Sequence, residues 1–124
     1  MPGGCGGATA GFFSEENESM REITSAKALK KALRTGVVLV DFNASWCGPC
    51  RAQEPILAEL ASRYASRINF TVVNIDDHRD LAAQFKIRSV PTLVIYKDGV
   101  EKLRLVGLED FSILAAAFDE ALTT

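Results

Sequence analysis

Apolar residues along the chain change between two periodicities, and the changes mark where strands and helices follow one another. Residues 37–42 are apolar at every position except Asp41, and residues 70–75 are a second, mostly apolar run, as is typical of strands covered on both faces. A helical spacing lies between the two runs, beginning near Cys50 and continuing through Pro55. Its apolar members are Ile56, Leu57, Leu60, Ala61 and Tyr64. Strand, helix and strand together predict a parallel βαβ unit with a right-handed crossover.

Shorter patterns predict the elements next to this unit. Residues 21–23 suit an edge strand, and Thr24 or Ser25 can cap a helix that ends at Gly36. After the second strand we expect a short helix at about residues 80–85.

The C-terminal part of the chain predicts a β-hairpin and a last helix. Residues 92–96 and 100–106 flank Asp98-Gly99, a strong signal for a two-residue turn, and Asp110 can cap the helix that follows. The apolar stripe of this helix comprises Phe111, Leu114, Phe118 and Leu122. The predicted fold class is therefore α/β, a mixed sheet with helices on both faces.

Residues 1–18 are glycine-rich and then acidic, with no sustained periodicity. We expect them to form a flexible N-terminal tail outside a single domain of residues 19–124. Cys5 lies in this tail, where it could form a regulatory disulfide or be a bystander.

Charge and hydropathy narrow the range of functions that the chain could have. The 124 residues carry a formal net charge of −2, so no basic field favours nucleic acid or an anionic membrane. Apolar runs such as residues 37–40 are far shorter than the roughly 18 residues of a membrane span, and we expect neither an anchor nor a secretory signal. The expected compartment is the cytoplasm, where a close cysteine pair is more often catalytic or metal-binding than a permanent cross-link.

The sequence WCGPC at residues 46–50 contains such a pair. Cysteines at i and i+3 across the start of a helix can form a disulfide. Cys47 lies at the predicted helix N-terminus, where unpaired amides and the helix dipole stabilise a thiolate, and is the expected nucleophile. Cys50, one turn inside the helix, should be less exposed and suits the resolving role. Gly48 permits the turn, and Pro49 fixes φ near the helical value in the first turn.

Three other interpretations of the pair are weaker. A zinc site requires about four ligands, and the chain offers only Cys5 and His78 in addition to the pair. A structural disulfide here would close a loop too small to constrain the unfolded chain much. Chance pairing of two buried cysteines is disfavoured because a position at a helix start argues for exposure.

Asp41 is a carboxylate within an otherwise apolar strand, six residues before Cys47. A buried carboxylate without a partner is costly when ionised, and no local partner is evident, so we expect a raised pKa for Asp41 and partial protonation near neutral pH. Asp41 could then transfer protons for Cys50. The alternative is a structural aspartate that is hydrogen-bonded to the backbone.

Longer stretches of the chain identify a family. VLVDFNASWCGPCRAQEP at residues 38–55, NID at 74–76, VPTLVIYKDG at 90–99 and VG at 106–107 closely resemble the thioredoxin family, and the resemblance covers residues 20–122. It implies the thioredoxin fold, with a central mixed sheet of about five strands flanked by about four helices.

The resemblance also implies a docking surface for protein substrates. The Val90-Pro91 peptide bond would be cis and would lie against the two cysteines, where the backbone of Val90 pairs with a substrate strand. The implied docking surface comprises Trp46, Gly48, Pro49, Val90, Pro91 and Gly107. Trp46 could instead, or in addition, pack against the domain.

The implied activity is that of a protein-disulfide reductase, an electron carrier that works by thiol-disulfide exchange with no cofactor besides the Cys47-Cys50 disulfide. Gly-Pro between the cysteines looks like the reducing branch of the superfamily. The implied partners are oxidised client proteins and a thioredoxin reductase, most often an NADPH-dependent flavoenzyme, and we expect a monomer. Two alternatives are a disulfide oxidase or isomerase of the same fold and a non-catalytic interaction module.

Two residues depart from the family pattern. Most thioredoxins have a second tryptophan where this chain has Asn43, and many have a lysine beside the buried aspartate where this chain has Val72. Without that ammonium group, Asp41 lacks a charge that would favour its ionised form. We therefore expect its pKa to be higher than in typical relatives.

Overall fold

Five strands and four helices follow one another through residues 20–123, which are the residues that the computed structural model describes. In chain order they are β1 (Met20–Glu22), α1 (Ala26–Ala32), β2 (Val37–Asn43), α2 (Gly48–Tyr64), β3 (Ile68–Asn74), α3 (Arg79–Gln84), β4 (Thr92–Lys97), β5 (Val100–Val106) and α4 (Phe111–Thr123). The tail predicted at residues 1–18, with Cys5, lies outside the described residues, as do the predicted domain limits at 19 and 124.

The five strands form one mixed sheet in the order β1-β3-β2-β4-β5. β1, β3 and β2 are parallel, whereas β4 is antiparallel to both β2 and β5. The predicted βαβ unit is β2-α2-β3, and the predicted hairpin is β4-β5. Asp98 and Gly99 both have positive φ, 51° and 85°, as a two-residue turn of this kind requires. β2 is the central strand, and its carboxyl end leads into the cysteine motif.

Alternate residues of β2 face opposite layers of helices. Val37 and Leu39 pack with α2 and α4, whereas the intervening residues of the strand pack with α1 and α3. Asp41 and Asn43 continue the first series, so their side chains lie on the face of the sheet that α2 and α4 cover. This parity directs a carboxyl group toward the helix that carries both cysteines.

The boundaries differ from the prediction chiefly at two helices. α1 ends at Ala32 rather than at Gly36. Gly36, with φ 76°, belongs instead to a turn in which its N–H donates to Oδ1 of Asp98 at 2.8 Å and its carbonyl accepts from the N–H of Asp98 at 3.0 Å. α2 begins at Gly48, two residues before the apolar helical spacing starts near Cys50, and Cys47 is its N-cap.

Two predicted caps are confirmed. Ser25, not Thr24, caps α1, and its Oγ accepts from the N–H of Ala28 at 3.0 Å. Oδ1 of Asp110 accepts from the N–H of Ile113 at 3.0 Å at the start of α4. Both helices therefore begin where the sequence places a short polar side chain.

Candidate active site

The carboxyl end of β2 runs into the N-terminus of α2, and the two cysteines lie at this junction. Cys47 is the N-cap of α2, and its Sγ accepts a hydrogen bond from the backbone N–H of Cys50 at 3.1 Å. The Cα atoms of the two residues are 5.3 Å apart, and their sulfurs form a disulfide. The position predicted for Cys47 is confirmed. In the reduced protein, the Cys50 N–H and the helix dipole would stabilise a thiolate there.

The expectation that Cys47 is exposed is wrong. Cys47 is only 4 % exposed and Cys50 is 2 % exposed. The two residues pack in a small apolar cluster with Ala44, Ile75 and Val90. Ile75 directly follows β3, and Val90 lies in the loop before β4. The position of Cys47 at the start of a helix therefore could not predict that these residues cover the sulfurs.

Trp46 is the most exposed large apolar side chain of this region. It is 68 % exposed, and its Nε1 donates to Oδ1 of Asp76, in the loop after β3, at 3.1 Å. Gly48 and Pro49 are also exposed. These three residues flank Cys47 in the sequence, so they border the disulfide on the solvent side.

The loop before β4 lies against Cys47 from the opposite direction. The Val90-Pro91 peptide bond is cis, as the resemblance implied. The carbonyl oxygen of Val90 is 3.7 Å from Sγ of Cys47. Gly107, just after β5, donates its N–H to the carbonyl of Pro91 at 2.8 Å. The structure therefore brings the six residues of the predicted docking surface together around the disulfide.

Asp41 lies on the face of β2 that α2 and α4 cover, in an apolar environment. It is 2 % exposed, and the strand register places it between Val72 of β3 and Leu93 of β4. Burial, with a smaller contribution from the negative charge of Glu54, raises the pKa of Asp41 from 3.8 to about 7. The raised pKa that the sequence predicted is confirmed.

Asn43 is a local partner of Asp41 that sequence reasoning missed. Its Nδ2 donates to Oδ2 of Asp41 at 3.4 Å, and this hydrogen bond opposes the rise in the pKa of Asp41. The other carboxyl oxygen, Oδ1, is buried and has no hydrogen-bond partner among residues 20–123. The period of two along a strand was the available signal, because it places residues 41 and 43 on the same face.

Glu54 is a second acidic residue that was missed. It lies on α2, four residues after Cys50 and therefore on the same face of the helix, and it is half-buried. Burial raises the pKa of Glu54, and the neighbouring Arg51 lowers it. The negative charge of Glu54 disfavours ionisation of Asp41.

Residues 20–123 contain neither a metal-binding cluster nor a membrane-spanning helix. Within residues 20–123, no three His, Cys, Asp or Glu side chains are grouped so that they could hold a metal ion. None of the helices in that range combines the length and the apolar content needed to cross a membrane.

Comparison with known proteins decides the family. The family model described as thioredoxin matches residues 20–120. The chain belongs to the thioredoxin family. It is 44 % identical over 91 residues to a thioredoxin of Chlamydia caviae, covering 73 % of this chain and 88 % of that protein. It is 40 % identical over 101 residues to thioredoxin 1 of Synechococcus elongatus, covering 81 % and 94 %.

A solved structure gives the same result. A mutant thioredoxin from Halobacterium salinarum superposes with a TM-score of 0.79 at 30 % identity, covering 86 % of this chain and 93 % of that one. The predicted thioredoxin fold of five strands and four helices is thus confirmed. As a thioredoxin, the chain is a thiol-disulfide oxidoreductase whose redox-active group is the Cys47-Cys50 disulfide. Members of the family need no further cofactor.

Proposed function

We propose that this thioredoxin is a monomeric reductase of protein disulfides in the cytoplasm, returned to its dithiol form by a thioredoxin reductase. The supporting observation is the asymmetry of the two sulfurs. Sγ of Cys47 accepts the Cys50 N–H at the N-terminus of α2 and lies 3.7 Å from the carbonyl of Val90, whereas Cys50 lies one turn farther into the helix. One sulfur suits attack on a client, and the other suits release of the client.

The first step is attack by Cys47 on a client disulfide. The Cys47 thiolate bonds to one client sulfur, the client S–S bond breaks, and the other client sulfur leaves as a thiolate that takes a proton from solvent. The hydrogen bond from the Cys50 N–H favours the thiolate of Cys47 over the thiol. Gly48 and Pro49 allow that amide to face the sulfur, since they form the first turn of α2.

The second step is resolution of the mixed disulfide by Cys50. The Asp41 carboxylate accepts the proton of the Cys50 thiol, and the resulting thiolate attacks Sγ of Cys47. The bond between Cys47 and the client breaks, and the second client sulfur leaves and takes up a proton. The client has gained two electrons, and Cys47 and Cys50 have become a disulfide. A carboxyl group with a pKa of about 7 suits this role because it can accept and return a proton at neutral pH.

The docking surface would hold the client beside Cys47. Trp46 offers a large exposed apolar side chain, and the Val90 backbone, next to the sulfur, can pair with an extended client strand. Gly107 would extend the same surface. Pro91 is itself buried and would contribute by holding the Val90 backbone in its cis geometry.

Trapping of clients tests the two cysteine roles. In a Cys50→Ser variant the resolving thiol is absent, so Cys47 should hold clients as mixed disulfides that a reductant releases. The matched control is Cys47→Ser, which should trap none. Equal recovery with both variants, or with neither, would contradict the assignment. If both variants retained full biological function, the protein would instead be a non-catalytic interaction module.

The direction of electron flow has its own test. We expect the Cys47-Cys50 pair, equilibrated with glutathione, to have a potential at or below that of the cytosolic glutathione pool. A potential well above that pool would support the oxidase or isomerase and refute the reductase.

A further inference from the structure

Gln53 is a fully buried amide side chain on α2, three residues after Cys50. Both of its polar ends bond to the backbone of one residue, Glu109. Nε2 of Gln53 donates to the carbonyl of Glu109 at 3.0 Å, and the N–H of Glu109 donates to Oε1 of Gln53 at 2.8 Å. A buried amide is tolerated when its donor and its acceptor are both paired, and one remote peptide unit pairs both here.

The residue that Gln53 holds belongs to the segment 107–110, which connects β5 to α4. This segment contains Gly107, a member of the docking surface, and Leu108, which is 49 % exposed. At one end, Gly107 donates to the carbonyl of Pro91 at 2.8 Å. Near the other end, Glu109 is bonded to Gln53. The segment is therefore fixed to both elements that contact the disulfide, the cis-proline loop and α2.

We propose that Gln53 is a positioning residue for client binding, which holds the segment 107–110 against α2 and so sets the distance between Cys47 and the exposed apolar side chain of Leu108. Gln53 is buried, and its amide bonds to the backbone of Glu109, so it acts through that residue. The inference rests on the proposed reduction of protein disulfides.

Removal of the amide should change client binding more than chemistry. Gln53→Met keeps a flexible side chain of similar volume but leaves the N–H and the carbonyl of Glu109 unpaired beside an apolar group. Such groups move toward water because they are costly to bury unpaired. The side chain of Leu108 would shift with them. The hydrogen bond from the Cys50 N–H to Sγ of Cys47 lies at the start of α2 and would remain.

The test compares a protein disulfide with a small-molecule disulfide as substrates. For Gln53→Met we expect KM for the protein disulfide to rise about tenfold with kcat nearly unchanged, and the rate with the small disulfide to stay within about twofold of wild type. The matched control is Thr71→Val, which removes a buried hydrogen bond of 2.8 Å from Thr71 Oγ1 to the carbonyl of Leu39, within the sheet. It should lower Tm without raising KM.

A second variant covers the case in which Gln53→Met does not fold. In Gln53→Glu, an ionised carboxylate can accept from the N–H of Glu109 but cannot donate to its carbonyl. The protonated acid can do both. The ratio of variant to wild-type KM should therefore be high at alkaline pH and approach one as the pH falls.

The outcomes separate the two claims. Wild type that is inactive on protein disulfides would refute the proposed function and this inference with it. If wild type is active, three results would refute the role of Gln53 alone. In the first two, Gln53→Met raises KM no more than Thr71→Val does, or it slows the reduction of both substrates equally. The third result is a ratio of Gln53→Glu to wild-type KM that does not depend on pH.

Discussion

Nδ2 of Asn43 lies 3.4 Å from Oδ2 of Asp41, on the same face of β2 and directed toward α2. The strand register places Val72 directly opposite Asp41. Asp41 is therefore bonded to a neutral amide and flanked by an aliphatic side chain. Asn43 lowers the pKa of Asp41 and Glu54 raises it, and substitution of each residue can reveal its effect.

The first prediction concerns Asn43. Replacement by leucine, which is similar in size and leaves no room for water, removes the hydrogen bond that favours the ionised form of Asp41. We expect Asn43→Leu to raise the pKa of Asp41 by roughly half a unit, the equivalent of a weak hydrogen bond. The pKa is measured by NMR titration of the side-chain carboxyl carbon. The control is Asn69→Leu, near the start of β3, which should leave the pKa of Asp41 unchanged. A fall in the pKa of Asp41 in Asn43→Leu would show that the amide does not favour the carboxylate.

Glu54 should act in the opposite direction. Its negative charge disfavours ionisation of Asp41, so Glu54→Gln should lower the pKa of Asp41 in the same titration. Glu59→Gln is the control, because Glu59 is exposed on the same helix and paired with Arg63. If both substitutions changed the pKa equally, the effect would be one of net charge and not of the position of Glu54.

The raised pKa of Asp41 also predicts how stability depends on pH. The folded protein binds a proton at this site up to about pH 7, whereas the unfolded chain releases it near pH 3.8. Between these values the folded state binds more protons, so Asp41 makes the protein less stable as the pH rises through this window. Above pH 7 the cost is on the order of 4 kcal/mol, and below about pH 4 it is absent.

Asp41→Asn should remove this cost. Denaturant unfolding at a series of pH values should show equal stability of variant and wild type near pH 4 and a growing advantage of the variant up to about pH 7. Asp77→Asn, at an exposed position, is the control and should show no such trend. A difference that is constant with pH would mean that Asp41 titrates alike in both states.

The parts of this site that sequence could predict are those set by local chemistry. Cys47 as an N-cap and Asp98-Gly99 as a two-residue turn each depend on neighbours within a few residues. The resemblance supplied the cis bond before Pro91, which no local pattern requires.

The parts that sequence could not predict depend on contacts between distant segments. Gln53 and Glu109 are 56 residues apart, and neither is unusual until the fold pairs them. Burial of Cys47 depends in the same way on Val90, 43 residues later. The Asp41-Asn43 pair lies between these cases, since strand parity would have revealed it.

The last prediction joins the electrostatics of Asp41 to catalysis. If its carboxylate accepts the Cys50 proton, resolution of a mixed disulfide on Cys47 should accelerate as the pH rises through about 7 and then level off. In Asp41→Asn, resolution at pH 7 should be slower by about a hundredfold. It should then accelerate only at alkaline pH, where the Cys50 thiol ionises without the help of Asp41. Stopped-flow release of a chromophoric thiol from a preformed mixed disulfide measures this step. Attack by Cys47, measured separately in Cys50→Ser, should be unaffected by Asp41→Asn. Identical pH profiles for resolution in wild type and in Asp41→Asn would exclude Asp41 as the proton acceptor.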